Sequence, residues 1–445
     1  MKLKIFIFFI CFITLSFNVL ASVCRIKGDA GEWYLEVDGN PFELKGVGCG
    51  QEKGREGTDY LQLAKVIGAN AVRTWGTDQG TKEYLDAAEH YGLKVDAGIW
   101  FEHCNWMRQK KVFSYINDVE RLKKMEKDAL GYVEKFKNHP AIIMWNLGNE
   151  VLFFTNEEKE RIAFCKYLEK VARKVKELDP DHPVLYTASG GQMFSYLKKY
   201  VPSLDIIGVN TYGGVDYIQD YWNKEGIEIP YMITEAGPLG PWDCPKDEFG
   251  RSIDQADYEK AFHYQYLLEE IDRFKGYCLG GFMFHLGDTT QESLTWWNLT
   301  VGPLKRESFC VIEKYYTGRQ IENMPPLCIG LEIDKKVVCP GERISVNIKA
   351  RDREKDDLSY DVQVGTSKEN ILLHIVNEAV PVEVVKKGVK TVFVAPEEPG
   401  IYKLHAYVYD GKGNVSTRTI SFKVEEQKEI TENANIDKGD NGSTK

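Results

Sequence analysis

Two apolar, β-rich runs each carry a glutamate at the tip: Met144-Trp145-Asn146-Leu147-Gly148-Asn149-Glu150 and, followed by Ala236-Gly237, Met232-Ile233-Thr234-Glu235. Taken singly, either acid reads as an ordinary strand-end ion pair. Facing one another across a cleft, the two suit cleavage of a glycosidic bond: a carboxylic acid protonates the leaving oxygen while a carboxylate attacks the anomeric carbon, and a separation of about 5 to 5.5 Å gives retention of configuration. The acid must start the cycle protonated, although a free glutamate titrates near about 4.3. Apolar neighbours and the charge of the partner acid would raise it, and esterification of that partner would lower it again, so that one residue serves as acid and then as base.

The elements that must hold these residues alternate between short β-type runs and longer helical patterns from Trp33 to about Gly318. Strands are expected over Phe42 to Val47, Asn70 to Trp75, Leu93 to Trp100, Ala141 to Leu147, Val184 to Thr187, Asp205 to Asn210, Tyr231 to Thr234 and Gly280 to His285, each followed by a helix. Eight such units in this length make a (β/α)8 TIM barrel, an α/β fold whose active site sits at the C-terminal strand ends. Strands four and seven then lie on roughly opposite sides of the mouth, with Glu150 at one tip and Glu235 at the other. Ahead of the barrel, Asp38-Gly39 marks the turn of a hairpin placed to plug its floor. After Met324-Pro325-Pro326 the texture changes to alternating β-type runs such as RISVNIKA and YKLHAYVYD, which predict a small all-β immunoglobulin-like sandwich over 325–425. The polar stretch 426–445 predicts a disordered tail.

The segments NHPAIIMWNLGNE and ITEAG, with GNPFELKGVG and GANAVRTWG before them, resemble glycoside hydrolase family 2, in the clan of (β/α)8 retaining glycosidases. The resemblance covers most of residues 33–300. It implies Glu150 as general acid/base and Glu235 as nucleophile, with no metal or organic cofactor. Three departures stand beside it. Full-length members place sandwich domains ahead of the barrel, whereas the barrel pattern here begins near residue 33. Strand eight reads Phe284-His285 where a tryptophan often lies under the sugar, a place open to Trp296 or Trp297. The segment GVGCGQEKG lacks the histidine-rich continuation common in the family, which leaves the substrate open.

Around the pair, Arg73 at the end of strand two would keep a positive charge beside Glu235, the alternative being a structural buried arginine. Asn149 would donate to the sugar 2-hydroxyl, or else merely form a turn. Tyr212 would orient Glu235, or stand as a plain rim tyrosine. Trp75 and Trp100 are the favoured sugar platforms among Trp75, Trp100, Trp106, Trp242, Trp296 and Trp297, core packing being the other reading of each. His103 would meet a sugar hydroxyl or sit as a plain loop histidine.

The 445-residue chain carries 57 Lys+Arg against 67 Asp+Glu, a net charge of −10. With no basic block, nucleic acid is not an expected partner; a carbohydrate is. Two lysines, an apolar run from Ile5 to Leu15 and the small-residue end at Ala21 predict a signal peptide over 1–21, hence a secreted, periplasmic or cell-envelope protein. Cys24 invites a lipid anchor, which the bulk of Val23 disfavours. The cysteines show no zinc spacing; Cys328 with Cys339 is a conceivable disulfide. Asp352, Asp356, Asp357 and Asp410 are a conceivable calcium set, solvated turns being the favoured reading. The expectation is an exported retaining β-glycosidase acting on β-linked oligo- or polysaccharides. The alternatives are a β-glucan transglycosylase using the same residues and an inactive carbohydrate-binding envelope protein; a metal-dependent hydrolase finds no histidine cluster after strand one.

Overall fold

The computed structural model describes residues 21–54, 57–76, 81–105, 112–368 and 376–426. The expected signal segment up to residue 20, the expected tail from 427 and Trp106 lie outside these. Strands β1 (Cys24–Lys27), β2 (Tyr34–Val37) and β3 (Asn40–Phe42) form an antiparallel sheet. Its tight turn holds Asp38 at φ 52° and Gly39 at φ 78°, the two positive values a two-residue hairpin loop requires.

Eight parallel strands follow: β4 (Leu44–Gly48), β5 (Ala71–Arg73), β6 (Lys94–Ile99), β7 (Ile142–Asn149), β8 (Val184–Ser189), β9 (Ile206–Tyr212), β10 (Tyr231–Gly237) and β11 (Cys278–Met283). They close into a barrel in chain order, β11 pairing with β4. Helices α1 (Tyr60–Val66), α2 (Thr81–His90), α3 (Val119–Phe136), α4 (Glu158–Leu178), α5 (Phe194–Tyr200), α6 (Asp216–Glu225), α7 (Asp257–Arg273) and α8 (Glu307–Thr317) alternate with them. In α4 the spacing dictates the packing: Phe164, Leu168, Val171 and Val175 recur every three or four residues and are buried toward the sheet. The barrel floor is filled by Leu44, Ala71, Met144, Leu185, Ile206, Met232 and Phe282, sealed from below by Leu35 and Val37 of the hairpin and by the buried Cys24.

Beyond the short pair β12 (Thr300–Val301) and β13 (Leu304–Lys305), the C-terminal part is all β. One sheet joins β14 (Leu327–Ile333), β16 (Arg343–Arg351), β20 (Lys390–Val394) and β19 (Val384–Lys386). The other joins β15 (Val337–Val338), β22 (Val415–Val424), β21 (Gly400–Tyr409), β17 (Ser359–Thr366) and β18 (Ala379–Val380). The alternation in β16 buries Ile344, Val346 and Ile348 against Phe393, Leu404 and Phe422 between the sheets.

This β unit is fastened to the barrel. Buried Arg306, just before α8, pairs with Asp257 at the start of α7, and the same arginine donates to Thr417 Oγ1 of β22 at 2.9 Å. Asp257 in turn accepts from Thr417 N at 2.9 Å. The conceivable Cys328–Cys339 disulfide is absent: both thiols are free, Cys328 being buried in the β core while Cys339 lies at a turn. The acidic loops serve as turn formers, Asp352 accepting from the amides of Glu354 and Asp356 and Asp410 from those of Lys412 and Asn414. Among the described residues no cluster of three acidic, histidine or cysteine side chains fits a metal.

Candidate active site

The barrel turns Glu235 and Asn149 inward by breaking its own alternation. In β10, Met232 joins the floor core and Thr234 donates to Asn210 inside the barrel at 2.9 Å, so strict period-two order would send Glu235 outward to the helices. Instead Ile233 pairs with Val209 and Glu235 with the next residue, Asn210, so that one extra β10 residue is taken up and Glu235 swings into the mouth. In β7, Asn146 pairs with Leu185 and Asn149 with Thr187, again one extra residue on the glutamate's strand. Gly148 absorbs the slip at φ 87°, and Glu150 follows at φ 55°, in the left-handed region that side chains disfavour.

Three donors converge on Glu235. Arg73 Nη1 and Trp75 Nε1 each lie 2.7 Å from Oε1, and Tyr212 donates to Oε2 at 2.5 Å. The Arg73 side chain is wholly buried, and its guanidinium also stacks 5.0 Å from the Trp75 ring centroid. Its other nitrogen, Nη2, donates to Asn149 Oδ1 at 2.8 Å, and Asn210 Nδ2 reaches the same oxygen at 3.1 Å. With its oxygen fixed twice over, Asn149 keeps its Nδ2 as the donor end at the cavity wall. Asn210 Nδ2 is also 2.8 Å from Glu150 Oε1. Below lies a polar layer in which Asn146 donates to Asp96 at 3.0 Å and Thr187 to Asn146 at 3.0 Å, with Asp96 3.6 Å from Arg73 Nε.

Burial, reinforced by the charge of Glu235, pushes the Glu150 carboxyl up to about 7, against the opposing pull of Asn210 and Arg73. Burial likewise raises Asp96 to about 6, with Arg73 opposing. The Tyr212 phenol is raised by burial and by Glu235. His285 is lowered by burial to about 4, which keeps its ring neutral.

Both glutamates open into one cavity of about 760 Å³ at the C-terminal strand ends. Aromatic walls surround it: Trp75, Trp100, Phe153, Tyr212, Tyr217, Trp242, Phe284 and Trp297, with Asn149, Asn210 and Gln192 between them. A second cavity, of about 500 Å³, lies at the opposite face between the hairpin and α7 and holds neither glutamate.

Of the residues singled out in the sequence, Arg73, Trp75, Asn149, Glu150, Tyr212 and Glu235 meet in one hydrogen-bonded cluster, and Trp100 stands half-exposed on the rim. Two are elsewhere. His103 is buried, stacked on Phe154 at 4.7 Å, with Nε2 2.7 Å from the Asn149 carbonyl; it braces the tip of β7 and is not among the cavity's lining residues. Trp296 is buried outside the cavity, its Nε1 donating to the Leu239 carbonyl at 3.2 Å, and its neighbour Trp297 takes the wall position against Tyr212. Trp75 has a different place from a simple stacking platform, because its indole N–H is committed to Glu235. The sequence reading did not single out Asn210 or Glu292: Asn210 ends the expected strand Asp205 to Asn210 and is open to the same strand-tip reading, whereas Glu292 lies in a long loop with no periodic signal.

A parallel eight-stranded barrel with an acid pair at the tips of β7 and β10 defines a class, and the comparisons place the chain in it. The sequence model of the TIM barrel domain of glycosyl hydrolases family 2 matches residues 37–269, and the chain belongs to that family. It is similar to the β-glucuronidase of Sus scrofa, 28% identical over 282 residues covering 57% of this chain and 39% of that protein. The human β-glucuronidase is 23% identical over 283 residues, 58% of this chain and 40% of the relative. The chain thus spans about two fifths of the length of these relatives. Among solved structures, Bacteroides uniformis β-glucuronidase 2, covalently bound to cyclophellitol-6-carboxylate aziridine, superposes with a TM-score of 0.50 at 14% identity, over 91% of this chain and 48% of that one. That likeness is one of fold.

Proposed function

We propose that this chain is a retaining β-glycosidase acting on β-linked oligo- or polysaccharides by double displacement. Glu235 attacks the anomeric carbon, the bond to the leaving oxygen breaks, and Glu150 gives that oxygen its proton; a glycosyl ester on Glu235 results. Glu150, now a carboxylate, takes a proton from water, whose oxygen attacks the same carbon and frees Glu235. Esterification cancels the Glu235 charge, one of the causes that raise Glu150, and so suits Glu150 to the role of base in the second half. Asn149, its Nδ2 free at the wall, is the donor for the sugar 2-hydroxyl. Arg73, Trp75 and Tyr212 hold Glu235 in attacking position.

The observation that carries this reading is the contrast within the pair: one carboxylate gripped by three donors, the other raised to about 7 in the same cavity. The half-exposed Trp100 and Trp242, 41% and 48% accessible on the rim, offer platforms for a second sugar and so favour transglycosylation as an accompanying outcome. On its N-terminal sequence the protein is exported, and we read the two-sheet β unit as immunoglobulin-like. The test is proton NMR of the first product formed from an aryl β-glycoside: a β-anomer released first supports the reading, an α-anomer overturns it.

A further inference from the structure

The stretch after β11 borders the cavity with Thr289, Gln291 and Glu292. It is held on both sides. The Thr290 carbonyl accepts from Asn377 N of the β unit at 2.9 Å, Gln291 bridges to Val376, and Thr295 Oγ1 lies 3.3 Å from His405 Nδ1. Arg306, on the barrel side, donates to the carbonyls of Thr295 and Asn298 at 2.6 and 2.5 Å. Glu292 is therefore placed by two domains at once.

Its backbone sits at φ 67°, where glycine is at ease and a β-carbon is not. Glu150 is the other cavity residue with this strain. Asp38 and Lys355 take such values in exposed loops, whereas Glu292 does so at a cavity wall, where strain points to work done by the side chain. Among the described residues the Glu292 carboxyl makes no hydrogen bond or ion pair, while burial raises it to about 7, with the charge of Lys403 opposing. A half-buried acid with open acceptor positions is satisfied by donors that arrive with the ligand. Two carboxylate oxygens match two neighbouring hydroxyls of a pyranose. Glu235 and Asp243 share the wall, and no lysine or arginine stands among its described lining residues. A sugar bearing its own carboxylate would meet like charge there.

We propose that Glu292 is a specificity-determining residue that accepts hydrogen bonds from adjacent hydroxyls of a neutral sugar and turns away uronic acids, so that the substrate is a neutral β-glycoside. This rests on the glycosidase reading above and departs from what the names of the relatives would suggest.

The experiment compares the chain of 445 residues and its E292Q and E292G variants on 4-nitrophenyl β-glucoside, β-galactoside, β-mannoside and β-glucuronide. The parent is expected to favour its best neutral glycoside over the glucuronide by at least about 100-fold in kcat/KM. E292Q should raise KM for that neutral substrate by about 10- to 100-fold with kcat within about threefold, the signature of lost ground-state binding. E292G relieves the backbone strain, so it should melt no lower than the parent while showing the same loss. A parent that prefers the glucuronide, or folded variants with unchanged KM, overturns the proposal and leaves the retaining mechanism standing. No turnover of any glycoside by the parent removes that mechanism and the proposal with it.

Discussion

At the floor of the barrel, Met144, Leu185, Met232 and Phe282 fill the interior with side chains that ask only for contact. One turn higher, Arg73, Asp96, Asn146 and Glu235 occupy the same interior with charge and hydrogen bonds, strands β7 and β10 each take up an extra residue, and two carboxyls are pushed to about 6 and 7. The floor supplies the burial that holds the barrel closed, and the mouth uses that rigidity to keep groups where water would otherwise relax them. The difference shows that strain and perturbed acids belong to the end where chemistry is expected, and that stability belongs to the other.

That division can be broken or sharpened by substitution. The largest effect on rate is expected from Glu235→Gln, which should lower kcat by about 10³-fold or more and also lower the melting temperature, because the buried Arg73 loses its carboxylate partner at 2.7 Å; initial rates beside thermal unfolding check it. Arg73→Met should lower kcat at least about 100-fold and also destabilise by about 3–5 kcal/mol, because it strands Glu235 and Asp96 without their shared cation; denaturant titration reads the second loss.

Next comes pH. Glu150 must be protonated to act first, so kcat/KM should fall about tenfold per unit as pH rises past about 7, and the limb should vanish in Glu150→Gln. Since its folded value lies above the unfolded one of about 4.3, the native state binds the extra proton between the two, and stability falls as pH rises through that window. Glu150→Gln should accordingly melt above the parent at pH 8 and level with it at pH 4. The smallest effect on rate should come from the floor: Met232→Ala is expected to destabilise by about 2–5 kcal/mol yet leave kcat within about threefold wherever the protein stays folded.

Much of this division could be read in the sequence. Alternation of β-type and helical runs gave the eight barrel strands, and the polar residues ending those runs gave Glu150, Glu235, Arg73 and Asn149, because in this architecture a strand tip is a mouth position. Periodicity cannot report a slip in the ladder, and it is the slip that aims Glu235 and Asn149 inward. Nor can it decide between neighbours in a loop. Trp296 and Trp297 are equivalent by type and adjacent in the chain, yet only contacts with Lys260, Lys403 and Leu239 bury one and leave the other at the wall. Nor does the local pattern around His103 announce its contact with the Asn149 carbonyl at the tip of β7. Glu292 was invisible because residues near 376 and 405, far along the chain, fix its loop.

The central claim, a covalent glycosyl ester on Glu235, is tested most directly by intact-protein and peptide mass spectrometry after incubation with a 2-deoxy-2-fluoro β-glycoside bearing a good leaving group. One added glycosyl mass, confined to the peptide containing Glu235 and absent from Glu235→Gln, is the predicted result. Turnover of the parent substrate with no trapped ester, or a label carried by another residue, would contradict it.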